Sequence, residues 1–123
     1  MSANLASSLH ASLQVDLGYN ATNKAQFKKL AMSTLRKLAK TLMLNKEDYS
    51  VRFNAGGIAV SGEATLHHKG IYIVVSQFFG SKTVLYRTCT SQDDFVGGVN
   101  NYANALDLLS DSFIAQIQRM IED

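Results

Sequence analysis

The sequence predicts a two-layer α+β domain in which a four-stranded antiparallel meander is covered on one face by an N-terminal and a C-terminal helix. Apolar residues recur every three or four positions near both ends of the chain, and they alternate with polar residues in the middle. Short glycine-containing segments, suited to hairpin turns, separate the alternating stretches. With 123 residues, 46% of them hydrophobic, the chain has material for one core, so we expect a single domain over residues 1–123.

A weak helical pattern opens the chain. Leu5, Leu9 and Leu13 recur at helical spacing, and the pattern stops near Gly18, a residue type that suits a helix end. We expect a weaker helix here, frayed or docked on a partner subunit, so that residues 1–21 form a loosely attached arm.

The strongest helical pattern runs from Asn23 to Leu44, and Thr22 or Asn23 can cap its start. Its apolar residues form one stripe, which consists of Phe27, Leu30, Ala31, Leu35, Leu38 and Leu42. A stripe of this kind is suited to packing on a sheet.

After Leu44 the period of the apolar residues changes to two, which predicts four strands at about 49–54, 58–67, 71–78 and 83–90. The third strand is apolar on both faces. If Ile71, Ile73 and Val75 fill the core, the opposite face of this strand carries Tyr72, Val74 and Phe78. These three side chains would stay exposed on a monomer, and a contiguous apolar patch of that kind marks an interface.

Helical spacing returns near the C-terminus, in Tyr102, Leu106, Leu109, Phe113, Ile117 and Ile121. This pattern predicts a helix of about five turns. The polar segment 91–101 before it is interpreted as a loop or a helix start.

The composition excludes several protein classes. Cys89 is the only cysteine, so one chain forms no internal disulfide and no cysteine-based metal cluster, and a reducing cytoplasmic setting fits best. Residues 1–14 contain no Lys or Arg, and the longest strongly apolar run, Ile71 to Val75, is far shorter than the roughly 20 residues of a membrane-spanning helix. We therefore expect a cytoplasmic protein that has no cofactor and no membrane partner. Small single domains without a catalytic signature are also common among accessory proteins of phages and mobile elements.

The net charge of +2 hides a separation of charge along the chain. Segment 22–44 has no acidic residue and six basic ones, which are Lys24, Lys28, Lys29, Arg36, Lys37 and Lys40. Segment 91–123 has six acidic residues against Arg119 alone. Three interpretations remain open. The polar sides of the two helices attract each other, or the basic helix binds a nucleic-acid backbone. The third and weakest is that the basic helix lies on an anionic membrane, because its apolar stripe lacks Trp.

Strand alternation places a second candidate group on the sheet face that points away from the core. Its members are Arg52, Glu63, Thr65, His67, Tyr72 and Arg87. Such a surface can bind anions or peptides, although an ordinary solvated face has the same composition. Glu63 and His67 are about 13 Å apart along one strand, too far to act as a catalytic pair.

A metal site is a weak alternative. Adjacent strand residues point to opposite faces, so His67 and His68 would reach one ion only from a turn. We expect no metal site. Cys89 is interpreted as a small apolar residue at the end of the fourth strand.

The polar segment before the predicted C-terminal helix is a third candidate. The residues singled out in it are Asp93, Asp94, Gly97, Gly98, Asn100 and Asn101. The carboxylates suit a hard cation, and the glycines followed by helix amides suit an anion, but the segment matches neither an EF-hand nor a phosphate loop. The alternative is a connection in which Asp and Asn cap the helix.

Two functions from different classes follow. The first is a small binding or protein-interaction module, homodimeric, that takes a protein or peptide partner on the open face of its sheet. The second is a single-stranded nucleic-acid-binding protein that uses the basic helix together with sheet-face Arg and Lys residues. An enzyme has the least support, because no acid, base or nucleophile can be paired from spacing.

Overall fold

The computed structural model describes residues 2–15, 17, 20–56, 62–77, 82–91 and 94–122. The helices are α1 (Ser2–Ser12), α2 (Ala21–Thr41) and α3 (Asp111–Glu122), and short 3-10 turns lie at Lys46–Asp48 and Ala105–Asp107. The strands are β1 (Tyr49–Asn54), β2 (Glu63–His68), β3 (Ile71–Ser76), β4 (Val84–Ser91), β5 (Asp94–Gly97) and β6 (Asn101–Ala103). The α+β class is confirmed, with a helix first and a helix last.

The sheet is an antiparallel meander in which β1, β2, β3 and β4 are consecutive neighbours, as predicted. The end of β4 pairs with β5 and its start pairs with β6. Gly97 lies opposite Cys89, and Asn101 lies opposite Tyr86. The chain from Gly97 to Asn101 is therefore one residue longer than the segment of β4 that it faces. β5 and β6 are thus two parts of one edge strand interrupted by a bulge, and the sheet is one strand position wider than predicted.

The core lies between one face of the sheet and the helices. α2 packs on β1 and β2, whereas α3 packs on β3 and β4. Phe27 of α2 meets Phe53 of β1 edge to face, with ring centroids 5.8 Å apart, and Phe113 of α3 meets Tyr86 of β4 in the same way at 5.1 Å. In the described residues no helix covers the opposite face, which we call the open face.

α1 belongs to the core. It packs on α2 and on the Ala105–Asp107 turn, and Leu9 and Leu13 are buried. The amide of Gln77 donates hydrogen bonds to the main-chain oxygens of Leu13 at 2.9 Å and of Val15 at 2.7 Å. The prediction that residues 1–21 form a loosely attached arm is therefore wrong for the described part of this segment, because its leucines fill space beside α2.

The ends of α2 differ from the predicted ones. Asn20, rather than Thr22 or Asn23, caps the start, because its side-chain oxygen accepts a hydrogen bond from the Asn23 N–H at 3.0 Å. The helix ends at Thr41, Leu42 is its C-cap residue, and Met43 comes next with a positive φ of 60°.

The predicted five-turn C-terminal helix is only partly present, because Tyr102 lies in β6 and α3 begins at Asp111. Thr83 explains the difference. Its N–H donates to the main-chain oxygen of Ala103 at 3.2 Å, and its hydroxyl accepts from the Ala105 N–H at 3.0 Å. These bonds hold the chain extended where the apolar spacing alone favours a helix.

None of the described helices combines the length and the apolar composition needed to cross a membrane.

Candidate binding site on the open sheet face

The strand register places all six sheet-face candidates on the open face. One row across the sheet runs through Arg52, Thr65, Val74, Leu85 and Tyr102. The next row runs through Ser50, His67, Tyr72 and Arg87, and Glu63 lies in the row on the other side, opposite Asn54 and Ser76. Arg52 is exposed, Glu63 and Thr65 are half-buried, and His67 is only 5% exposed.

An aromatic and cationic cluster occupies the middle of this face. The rings of His67 and Tyr72 meet edge to face with centroids 5.0 Å apart, and the Arg87 guanidinium carbon lies 5.0 Å from the Tyr72 ring centroid. On its other side, Arg87 donates from Nη1 to the side-chain oxygen of Asn100 at 3.2 Å. Side chains of β2, β3 and β4, together with Asn100, thus form one continuous set of contacts.

The Tyr72 hydroxyl is a hydrogen-bonding group and not a base at neutral pH. Burial raises its pKa above the ordinary value, and the Glu63 carboxylate raises it further. Arg87 and a side-chain hydrogen bond with Thr65 act in the opposite direction. A protonated phenol beside a guanidinium offers donors, a ring face and a positive charge, which are features of a recognition surface.

Val74 is covered, contrary to the expectation that it lies exposed on this face. It was predicted to stay exposed together with Tyr72 and Phe78, but it is 4% exposed, and Tyr72 is half-buried. Val74 lies between Thr65 and Leu85 in its row, and side chains of central strands cover one another even where no helix lies above them. Phe78 lies outside the described residues.

Three exposed apolar side chains lie instead in β6 or within three residues of it. Val99 is 84% exposed, and Tyr102 and Leu106 are each 49% exposed. Sequence reasoning missed Tyr102 as a sheet-face residue because its spacing to Leu106 and Leu109 fits a helix. Its position between Asn101 and Ala103 on a three-residue strand gave too short an alternation to detect.

The described loop candidates all lie along this edge of the sheet. Asp94 and Gly97 lie in β5, and Asp93 lies outside the described residues. The N–H of Gly98 donates to Thr88, and a Cβ on Gly98 would lie 2.5 Å from the Thr88 hydroxyl oxygen, so the Thr88 side chain would have to move to admit one.

The two asparagines of the loop have different roles. The side chain of Asn101 donates to the main-chain oxygens of Val99 at 3.0 Å and of Tyr86 at 3.4 Å, and so closes the bulge. Asn100 alone joins the open-face cluster, through Arg87. The interpretation that Gly97 and Gly98 precede a helix is wrong, because β6 follows them.

The two histidines lie on opposite faces of β2, as strand alternation predicts. His68 is 3% exposed, and its Nδ1 accepts a hydrogen bond from the Gly70 N–H at 3.0 Å. The buried thiol of Cys89 donates to the main-chain oxygen of His68 at 3.0 Å. Among the described residues, no three His, Cys, Asp or Glu side chains come together as a metal site would require.

The basic residues of α2 are not part of this site. Lys24 is half-buried, and its Nζ donates to the main-chain oxygen of Ala55 at 3.4 Å. The remaining five are exposed, and Lys28 lies 5.6 Å from the ring centroid of Phe53. Because α2 covers the core face of the sheet, its exposed side points away from the open face.

Comparison of the chain with protein-family models, with curated proteins and with solved structures found no match.

Proposed function

We propose that this protein is a small non-enzymatic binding module that associates with a second copy of itself through the open face of its sheet. The observation that carries the proposal is the residue content of a face that no described helix covers. Tyr72 and Arg87 lie half-buried at its middle, and Tyr102 is half exposed at its edge. Tyrosine and arginine are enriched in protein interfaces, and lysine is depleted.

The charges of the face favour a second copy over a partner of one sign. Arg52 and Arg87 lie on the same surface as Glu63. In a twofold contact each patch meets its own image, so a patch that carries both signs can pair its cations with the carboxylate of the other copy. The charged side chains on the exposed side of α2 are all cations, so two copies would repel each other through this surface.

The size of the face sets the expected affinity. Its five strand positions lie about 4.8 Å apart and its main strands rise about 3.3 Å per residue, which makes a face roughly 20 Å on each side. Such an area is at the lower end of what holds two proteins together. The dimer should therefore dissociate on dilution.

Sedimentation or light scattering over a range of roughly 1 to 300 µM tests the proposal. The mass should rise from the chain mass of 13.5 kDa toward twice that value. Leu85→Glu and Tyr102→Glu each replace an apolar side chain of the open face by a carboxylate and should leave a monomer throughout the range. Met43→Glu is the matched control, because Met43 is also apolar and is 88% exposed, but lies at the end of α2.

Two results would overturn the proposal. One is a wild-type protein that stays monomeric at the highest concentration. The other is a dimer that survives both open-face variants, or that Met43→Glu dissociates equally well. Thermal unfolding of each variant shows whether a loss of dimer comes from the interface or from a loss of fold.

A further inference from the structure

The exposed side of α2 carries a row of cations, which we call the basic ridge and define as Lys28, Lys29, Arg36, Lys37 and Lys40. All five side chains are exposed, and α2 contains no Asp or Glu. From Lys28 to Lys40 the helix rises about 18 Å at about 1.5 Å per residue. The ridge is therefore a continuous positive surface and not a local pair of charges.

The described acidic side chains near the C-terminus do not pair with the ridge. Within the described residues no ion pair joins any of the five cations to a carboxylate. The arrangement of the layers explains this, since α2 lies over β1 and β2 while α3 lies over β3 and β4. Asp111 and Glu122, at the two ends of α3, therefore belong to the other half of the helical layer.

The ridge also has a shallow cavity. A groove of about 300 Å³ lies along it, lined by Lys28, Lys29, Arg36, Ser33, Met32 and Ala25. Cations and a hydroxyl thus surround a small apolar floor. Arginine and serine both donate hydrogen bonds to phosphate oxygens, and lysine supplies a mobile positive charge.

We propose that the basic ridge binds the sugar–phosphate backbone of a nucleic acid, without reading its sequence. A duplex presents one negative charge for about every 1.7 Å of its axis, so the length of the ridge meets an uninterrupted row of phosphates. The inference does not rest on the open-face dimer, because the two surfaces are on opposite sides of the molecule.

An anionic membrane fits the ridge less well. A helix that lies on a bilayer inserts its apolar face, but Phe27, Leu35 and Leu38 of α2 are fully buried in the core. An acidic protein partner also fits less well, because protein interfaces are depleted in lysine and place aromatic residues at their centre. The ridge has neither an aromatic residue nor a free apolar stripe.

The fold separates the two groups of residues that the sequence offers for nucleic-acid binding. Arg52, Tyr72 and Arg87 lie on the open face, and the ridge lies on the far side of the helical layer. A strand held by the ridge does not reach those side chains. The ridge therefore makes backbone contacts alone, without the stacking of bases that sheet-face aromatics would add.

The experiment measures binding of the full chain to a duplex of about 20 base pairs, in two unrelated sequences, from about 50 to 200 mM salt. Five phosphate contacts give a slope of log affinity against log salt of about −4.5. The triple variant Lys29→Gln, Arg36→Gln, Lys40→Gln should bring the slope to about −1.8. The two sequences should bind equally.

A matched control removes the same charge elsewhere. Lys46, Lys82 and Arg119 are exposed and lie outside the ridge, and the triple change of these residues to Gln should leave the slope close to that of the wild type. Both triple variants should unfold at the wild-type temperature, because every changed side chain is exposed. Leu85→Glu, which tests the open face, should keep the salt slope.

Four results would overturn the inference. The wild type shows no binding at the lowest salt, the control variant loses as much as the ridge variant, or one sequence binds much more tightly than the other. The fourth is binding that is as strong to polyglutamate, or to phosphatidylserine vesicles, as to DNA, since the ridge would then select charge or a lipid surface and not a nucleic-acid backbone.

Discussion

Met43, the residue after the C-cap of α2, has a backbone conformation that a residue with a Cβ disfavours. Its φ is 60°, the Met43 N–H donates to Lys40 at 3.0 Å, and the Leu44 N–H donates to Ala39 at 3.1 Å. This pair of bonds is the Schellman arrangement, whose left-handed position is usually glycine. A Cβ in that conformation costs about 1 to 2 kcal/mol.

Met43→Gly should therefore stabilise the protein by roughly 0.5 to 1 kcal/mol, after the greater backbone entropy of glycine in the unfolded chain is subtracted. Urea unfolding measures the change. Met43→Ala is the control, because alanine keeps the Cβ and should give no gain. An equal gain from both variants would assign the effect to the 88% exposed apolar side chain and not to the backbone.

His68 illustrates a residue whose environment the sequence does not reveal. Burial lowers its pKa below the ordinary 6.5, the nearby Asp48 carboxylate raises it in part, and Lys69 lowers it again. Asp48 and Lys69 themselves form an ion pair at 3.3 Å. The native chain thus holds this imidazole in its neutral form more strongly than the unfolded chain does.

The sign of the pH dependence follows from that difference. Below about pH 6.5 the unfolded state binds a proton at His68 that the native state does not, so the stabilising effect is complete above that pH. It is lost progressively as the pH falls toward the lower native pKa. We expect urea unfolding to show this loss as the pH falls below about 6.5 in the wild type.

His68→Asn is the informative variant, because its side-chain oxygen can still accept the Gly70 N–H. It should flatten the pH dependence of stability over that range. A variant with the wild-type slope would show that other groups cause the loss.

Among the secondary-structure elements, α1 adds buried leucine side chains to the core. Apolar and polar side chains are less clearly separated into two sides in α1 than in α2 or α3, yet Leu9 is fully buried between α2 and the chain that follows β6. A helix this short gains its stability from packing and not from propensity. Its docking was unpredictable because it depends on the position of Ala105–Asp107, which is remote in sequence.

Leu9→Ala tests whether α1 contributes to the core. We expect a loss of about 2 to 5 kcal/mol in the free energy of unfolding, as for other fully buried leucines. Ser7→Ala, at an exposed position of the same helix, should change little. A loss below about 0.5 kcal/mol for Leu9→Ala would contradict the packed position and restore the loosely attached arm.

The periodicity of apolar residues does not predict the edge strand formed by β5 and β6. β5 and β6 are too short for alternation to reveal, and Tyr102 and Leu106 happen to fit a helical period. What holds this segment is pairing with β4 and the two hydrogen bonds of Thr83. α2 and β1 to β4 were predictable because each has enough residues to establish a period.

At the scale of the whole molecule, the two layers separate two surfaces with different chemistry. The open face carries both signs of charge around an aromatic cluster, and the basic ridge carries one sign alone. An open-face dimer would place the helical layers outermost, with one basic ridge on each outer side. Loss of the dimer and loss of the salt-dependent binding are therefore separable by substitution.

The amino-acid sequence was enough to predict the α+β class, the order of the four meander strands, the inward and outward sides of those strands, and the cationic exposed side of α2. These follow from local periods, which depend on backbone geometry alone. The packing of distant segments, by contrast, places α1 in the core and Tyr102 in the sheet, covers Val74, and brings Arg87 to Asn100. It also decided that α3 leaves the basic ridge without a carboxylate partner among the described residues. Each of these depends on contacts between residues far apart in the chain, whose free energy no local pattern contains.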